Sequence, residues 1–437
     1  MNHIYIPFLA LAVTIYSCKE SNTPVQNEKD INPLAAEYVR LGLAIGQYDE
    51  AFVDAYYGPD SLKPAGIKLD SFPKDSFLRR ADVLLLSLEE FGTSASNDTI
   101  KNRAGWLSDQ LIAYKRRIRI FAGENANFDE EAKDLFGTTP PVYDEAYFQK
   151  HIASLDTILP GTGSVQDRFQ TLANRFIIPK EKLDTVFQAA IAECRLRTKK
   201  YYQLPSEESF KLEFVTDKSW NGYNWYKGNY TRLIQINTDL SIFLDRAIDV
   251  GSHESYPGHH VYNMLLEKNL YADQGLIEIS LYPLYSPTSL IAEGTANYGI
   301  DVVFPGNDKI TFSKNVLLPL AGLDTTGIGI YFQANAIKGK LNYVRNEVAR
   351  GMINGTMTDE QALEWLVKYG LYNEETALKS ISFIKTYRTY VMNYNYGMDL
   401  VREYVESKIE SDPTPENRWK IFGELMSRQV RIGDLKN

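Results

Sequence analysis

The stretch His253-Glu254-Ser255-Tyr256-Pro257-Gly258-His259-His260 decides how this chain of 437 residues is read. The sequence has five histidines, and three fall within these eight positions, a density that scattered surface histidines do not show. In an unbroken α-helix His259 would stand about 9 Å along the axis from His253 and about 120° around it; His260 would share its face but lie about 10.5 Å away. Neither spacing lets two imidazoles reach one metal ion, whose nitrogen ligands approach to about 2.1 Å. Pro257 changes the geometry. It has no N–H to continue the helix, and it pushes Tyr256 out of helical conformation. Gly258 adds further freedom. With Pro257-Gly258 bulged out, the remaining order is His-Glu-x-x-His, in which two histidines one turn apart bind zinc and the glutamate activates water. The other reading is a plain Pro-Gly helix break whose histidines are satisfied by nearby carboxylates.

A zinc site that does chemistry has three protein ligands and one open position. Downstream, Glu293 in Ile291-Ala292-Glu293-Gly294-Thr295-Ala296-Asn297 is the candidate third ligand, 34 residues after His259 on a new helical segment with apolar or small flanks. Asn297 and Asp301 follow on the same face at four-residue steps, where either can hydrogen-bond a ligand histidine. Upstream, SFKLEFV (209–215) and YTRLIQIN (230–237) alternate apolar and polar residues as half-buried strands do. Around them, from about 34 to 205 and again after 238, apolar residues recur at three- and four-residue spacing. The expected fold class is mostly α: a large helical domain over 34–437 with a small antiparallel β-sheet inserted before the motif helix. No internal repeat or low-complexity linker follows residue 33.

The composition fits a soluble globular body, and the net charge of -9 argues against nucleic acid as a partner, since phosphate binding needs a basic face. Residues Ile4 to Tyr16 are almost wholly apolar, but thirteen residues fall short of the ~20 that a spanning helix needs. They read as a signal peptide over 1–17. Ser17-Cys18 then resembles a bacterial lipoprotein cleavage site, with Cys18 as the lipidated residue and 18–33 as a polar tether. The segment before the apolar run has no Lys or Arg, and Tyr16 is bulky for its place, so an ordinary secreted protein is the alternative. The lipoprotein reading places the protein outside the cytoplasm, held to a bacterial membrane, the outer one, by its lipid anchor only. The other cysteine, Cys194 in AAIAECRLR (189–197), reads as a core thiol.

H-E-x-x-P-G-H-H followed by an E-G helix resembles the domain of unknown function 885 family, grouped with the zincin metallopeptidases near the mostly helical gluzincins. Tyr38-Val39-Arg40-Leu41, Asp54-Ala55-Tyr56-Tyr57-Gly58-Pro59, Tyr223-Asn224-Trp225-Tyr226 with Gly228-Asn229, Ile236-Asn237, Arg388-x-Tyr390 and Tyr394-x-x-Gly397 look familial too. Thr295 departs from the pattern, standing where many members have Trp. The resemblance implies a zinc cofactor on His253, His259 and Glu293, with Glu254 as general base. Arg388, Tyr390 and Tyr394 are candidates to stabilise the tetrahedral intermediate. His260 and Asn297 are accessory: His260 as a substrate contact or behind the ligands, Asn297 behind them. By analogy with zincins, the strand Thr231–Asn237 is expected to take an extended peptide at the sheet edge.

Three functions follow as expectations: a zinc peptidase acting on a peptide or small amide; a zinc hydrolase of a non-peptide amide or ester; and a surface binding lipoprotein on a degenerate peptidase scaffold. Glu254 argues against the third, because a binder does not need the base.

Overall fold

The computed structural model describes residues 30–436, except 219–221 and 229. The expected signal peptide, Cys18 and the tether up to residue 29 lie outside the described residues. From Ile31 onward the chain forms one compact unit, whose first helix runs Asn32–Gly46. Helices dominate, as the apolar spacing predicts. Many begin where a short polar side chain takes up a free amide: Asn97, Asn127, Ser164 and Thr358 each accept from a backbone N–H two or three residues on. Among the described residues no helix is long and apolar enough to cross a membrane.

The helix Pro287–Val303 carries Glu293 and is called the glutamate helix below. Ser286 caps it, accepting from Ser289 N at 3.4 Å, and Pro287 occupies its first turn. It is buried along nearly its whole length, as its run of apolar and small residues requires. The helix Met392–Lys408 packs on it backbone to backbone. A Cβ on Gly294 would meet the Gly397 carbonyl oxygen at 2.4 Å, and one on Gly397 would meet the Leu290 oxygen at 2.7 Å. No larger residue fits at either position. The close approach sets the Arg388–Val391 turn and Tyr394 against Glu293.

The expected sheet has three strands: β2 (Ser209–Val215), β3 (Gly222–Gly228) and β4 (Thr231–Asn237) in the order β2-β4-β3. β3 and β4 form the antiparallel hairpin, and β2 lies parallel to β4. The position of β4 corrects the expected role of Thr231–Asn237. It is the central strand, both its hydrogen-bonding edges are taken, and no peptide can add to it. The edge strand beside the cleft is β3. A second ladder pairs β1 (Val53–Tyr56) antiparallel with β5 (Leu281–Pro283). β1 lies in a region read as mainly helical. Four residues are too few to show a two-residue period, and its partner is more than two hundred residues away.

Candidate metal centre

The helix Leu244–Asp249 runs directly into a π-helical turn, Val250–Ser255, which carries His253 and Glu254. Gly251 presses this turn onto the helix Leu183–Thr198: a Cβ there would lie 3.1 Å from the Ala190 carbonyl carbon and 3.2 Å from Cys194 Sγ. Cys194 is a fully buried core thiol, and burial pushes its pKa up. At Tyr256 the backbone becomes extended, the Tyr256–Pro257 peptide is cis, and the helix resumes at His259. The bulge is tied back by Tyr256 N donating to Gly251 O (3.0 Å) and Gly258 N donating to Ser252 O (2.9 Å). Gly258 lies so close that a Cβ would meet His253 O at 1.9 Å, so only glycine closes the bulge. The excursion brings the His253 and His259 rings to 4.7 Å between centroids, nearly perpendicular.

Glu293 completes a cluster whose three ligand atoms lie within 4.8 Å of one another. Its Oε2 is 3.6 Å from His253 Nε2 and 3.7 Å from His259 Nε2. Ligands of a tetrahedral zinc at about 2.1 Å stand about 3.4 Å apart, so little adjustment is needed. Both contacts are too long for hydrogen bonds. Glu293 Oε2 is a buried carboxylate oxygen without a hydrogen-bond partner, facing two imidazole nitrogens. A buried polar atom is normally paired, and a cation bound between these three groups would supply what this one lacks. The donor set suits zinc. Burial opposes ionisation of Glu293, but the two histidines and the Tyr390 hydroxyl outweigh it and hold the carboxyl below its ordinary range. Burial likewise opposes a charge on His259, and Glu293 outweighs it, raising that imidazole above its ordinary value.

Asn297 sets the tautomer of His253. Its Nδ2 donates to the carbonyl oxygens of Glu293 (3.0 Å) and Tyr394 (3.1 Å), so Oδ1 is left to accept at 3.2 Å from His253 Nδ1. In the neutral ring the proton therefore sits on Nδ1, and the Nε2 lone pair faces Glu293 and His259. Glu254 places Oε1 4.0 Å from His253 Nε2, while its backbone oxygen accepts from Asn224 Nδ2 on β3 at 3.0 Å.

These groups open into a cavity of about 500 Å³ walled by β1, β3, the motif helix and the Tyr387–Tyr394 segment. Tyr390 and Tyr394 line it, in different capacities. The Tyr390 hydroxyl is spent on Glu293 Oε1 at 3.0 Å, so Tyr390 orients the Glu293 carboxylate and is not a free donor to the cavity. The Tyr394 hydroxyl has no hydrogen bond among the described residues, and burial raises its pKa well above the ordinary value, so it is a protonated donor. Arg388 is a correction. Its guanidinium makes three contacts of 2.7–3.1 Å with the buried carboxylate of Glu131, and it does not line the cavity. It pins the turn that presents Tyr390.

His260 is a second correction. It is fully buried on the far side of the bulge, its Nε2 3.0 Å from Glu208 Oε2, which also accepts from Tyr256 OH at 2.6 Å. Arg195 Nε donates to Glu208 Oε1 at 2.9 Å. His260 therefore anchors the bulge and touches neither the cavity nor the ligand atoms. Asp301 pairs with Lys309 and Arg402, away from the ligands. Thr295 is buried, donates to Ala292 O and does not line the cavity.

Three charged wall residues were not assigned a role from sequence: Asp54, Arg232 and Arg428, the last exposed and donating to Tyr404 OH at 3.3 Å. Asp54 on β1 accepts from Tyr223 OH at 3.1 Å, and burial raises its carboxyl above the usual range despite that bond. It presents surface to the cavity while ringed by protein. Arg232 lies on the inward face of β4 with Ile234 and Ile236. The strand alternation in YTRLIQIN already puts this arginine on the apolar side, and that was the available signal.

No protein-family model matches the sequence and no curated protein matches it, so the family resemblance rests on the residues quoted for it. Among solved structures, the chain is similar to a protein of Colwellia psychrerythraea provisionally assigned as a lipoprotein, at 12% identity and a TM-score of 0.48, covering 81% of this chain and 69% of that one. It is similar to a provisional lipoprotein of unknown function from Shewanella oneidensis, at 10% identity and a TM-score of 0.42, covering 80% and 73%. A third structure, of a protein called CHT, matches at 12% identity and a TM-score of 0.42 over 90% of both chains.

Proposed function

We propose that the protein is a zinc-dependent metallopeptidase acting on short peptides. The observation that carries this reading is the unpartnered Glu293 Oε2 between two imidazole nitrogens, with Glu254 beside them in the wall of the cavity. His253, His259 and Glu293 would hold the metal. Zinc, when bound, supplies Lewis acidity toward water and the substrate carbonyl. Glu254, 4.0 Å from His253 Nε2, takes the proton of the attacking water and returns it to the leaving amine. Tyr394 donates its hydroxyl hydrogen to the carbonyl oxygen as negative charge gathers there. Asn297 and Tyr390 keep His253 and Glu293 in place. A cavity of about 500 Å³ takes a few residues of peptide rather than a folded chain.

The test is metal content paired with a Glu254→Gln variant. Wild type is expected to bind one zinc per chain and to hydrolyse members of a peptide panel. Glu254→Gln should keep the zinc and lose about 10²–10⁴-fold in rate. A wild type without stoichiometric zinc or peptide turnover sinks the proposal, and turnover of esters alone moves it to non-peptide substrates. The enzyme is further proposed to work outside the cytoplasm, lipid-anchored through Cys18. Metabolic labelling with a fatty-acid probe should mark the protein, and Cys18→Ala should abolish the label.

A further inference from the structure

Arg232 and Arg116 are each 7% exposed, yet they are treated differently. Arg116 contacts the carboxylates of Asp134 and Glu130 at 2.6 and 2.5 Å. Arg232, among the described residues, has neither a hydrogen bond nor a carboxylate within salt-bridge distance. Its guanidinium lies over the ring of its cross-strand partner Tyr226, at 4.9 Å, while the carboxylates of Glu267 and Asp54 act on it from beyond salt-bridge distance. Glu267 is already committed, accepting from Tyr226 OH at 2.6 Å, and the Tyr57 hydroxyl donates to Ile279 O at 2.8 Å. Burying an unpaired cation is costly, and a fold that keeps one has a use for it. The place of this one is informative. Arg232 lines the same cavity as His253, Glu254, His259 and Glu293.

We infer that Arg232 is the receptor for a substrate carboxylate, so that the cavity selects short peptides by their free C-terminal end. A guanidinium offers parallel N–H donors that match the two oxygens of a carboxylate. The ring of Tyr226 backs the guanidinium, so a ligand must come from the cavity. A carboxylate held there sets the peptide bond next to it toward the metal cluster, which makes the enzyme an exopeptidase removing C-terminal residues. The cleavage step rests on the hydrolase reading above; the carboxylate site does not.

The experiment measures binding rather than turnover. Glu254→Gln protein, with and without zinc, is titrated calorimetrically with N-acetyl-Phe-Leu and with its C-terminal amide. The free acid is expected to bind roughly 10- to 100-fold more tightly than the amide in both metal states. Adding Arg232→Gln should erase that preference, and Arg232→Lys should keep part of it. Near-UV circular dichroism checks that the Arg232 variants retain native packing. Equal affinity for acid and amide, or no binding of the acid at millimolar concentration, overturns the inference even if neither Arg232 variant folds. A preference that survives Arg232→Gln also overturns it, and a preference seen only with zinc assigns the carboxylate to the metal. Lack of turnover by wild type would remove the hydrolase reading and leave this result standing.

Discussion

Two buried glutamates flank the Pro257-Gly258 bulge, and they are supported in opposite ways. Glu208, 4% exposed, accepts from His260, Tyr256 and Arg195, and both its oxygens are used. Glu293, 7% exposed, has one oxygen bonded to Tyr390 and one with no hydrogen-bond partner. The neighbouring histidines follow the same division. Burial holds His260 below its ordinary pKa despite Glu208, whereas Glu293 lifts His259 above it. A carboxylate whose partners are all supplied by the chain holds structure. One left short among ligand-type side chains is set aside for something that binds.

The largest effect that can break this comparison is on stability without metal. In protein treated with a chelator, Glu208→Ala should cost about 2–4 kcal/mol, chiefly because the buried Tyr256 and His260 lose their acceptor. Glu293→Gln under the same conditions should cost less than about 1 kcal/mol, and denaturant melts compare the two directly. Equal losses would mean that Glu293 is structural as well. A smaller effect sharpens the assignment of Asn297. Asn297→Ala should weaken zinc binding about 10- to 100-fold in a competition titration, since no other described residue fixes the His253 tautomer. His260→Gln, on the other side of the bulge, should leave zinc affinity within a few-fold.

The smallest and most graded effect is the pH dependence of zinc binding. Zinc needs neutral imidazole, and Glu293 raises the pKa of His259 above the ordinary value of about 6.5. Affinity should therefore be full well above that raised value. It should fall by about tenfold per pH unit once the pH drops below it, a decline that begins above pH 6.5. A titration flat from pH 8 to 6 would show that zinc does not compete with a proton for a raised His259.

Much of the fold was legible in the chain. The three-to-four-residue apolar spacing marks the helices, and the alternation in 209–215 and 230–237 marks two strands of the sheet. The bulge was legible because Pro257 and Gly258 act locally, through a missing N–H and a missing Cβ. Glu293 stood out because a charged residue inside an apolar helix is anomalous wherever the helix packs. Arg388 misled for the opposite reason: its partner Glu131 is 257 residues away, and no local pattern announces that pairing. The edge role given to Thr231–Asn237 failed likewise, because strand order depends on which strands pair and not on the alternation within one.

The sequence by itself determined that two histidines can meet across a Pro-Gly excursion and that a glutamate follows inside an apolar helix. These are consequences of backbone chemistry and periodicity, which act over a few residues. Only the tertiary structure decided which charges are paired. Arg388 and His260 are spent on Glu131 and Glu208, while Glu293 Oε2 and Arg232 are left without such partners in one cavity. Pairing depends on distances between segments brought together by packing, and that information is absent from the order of residues along the chain.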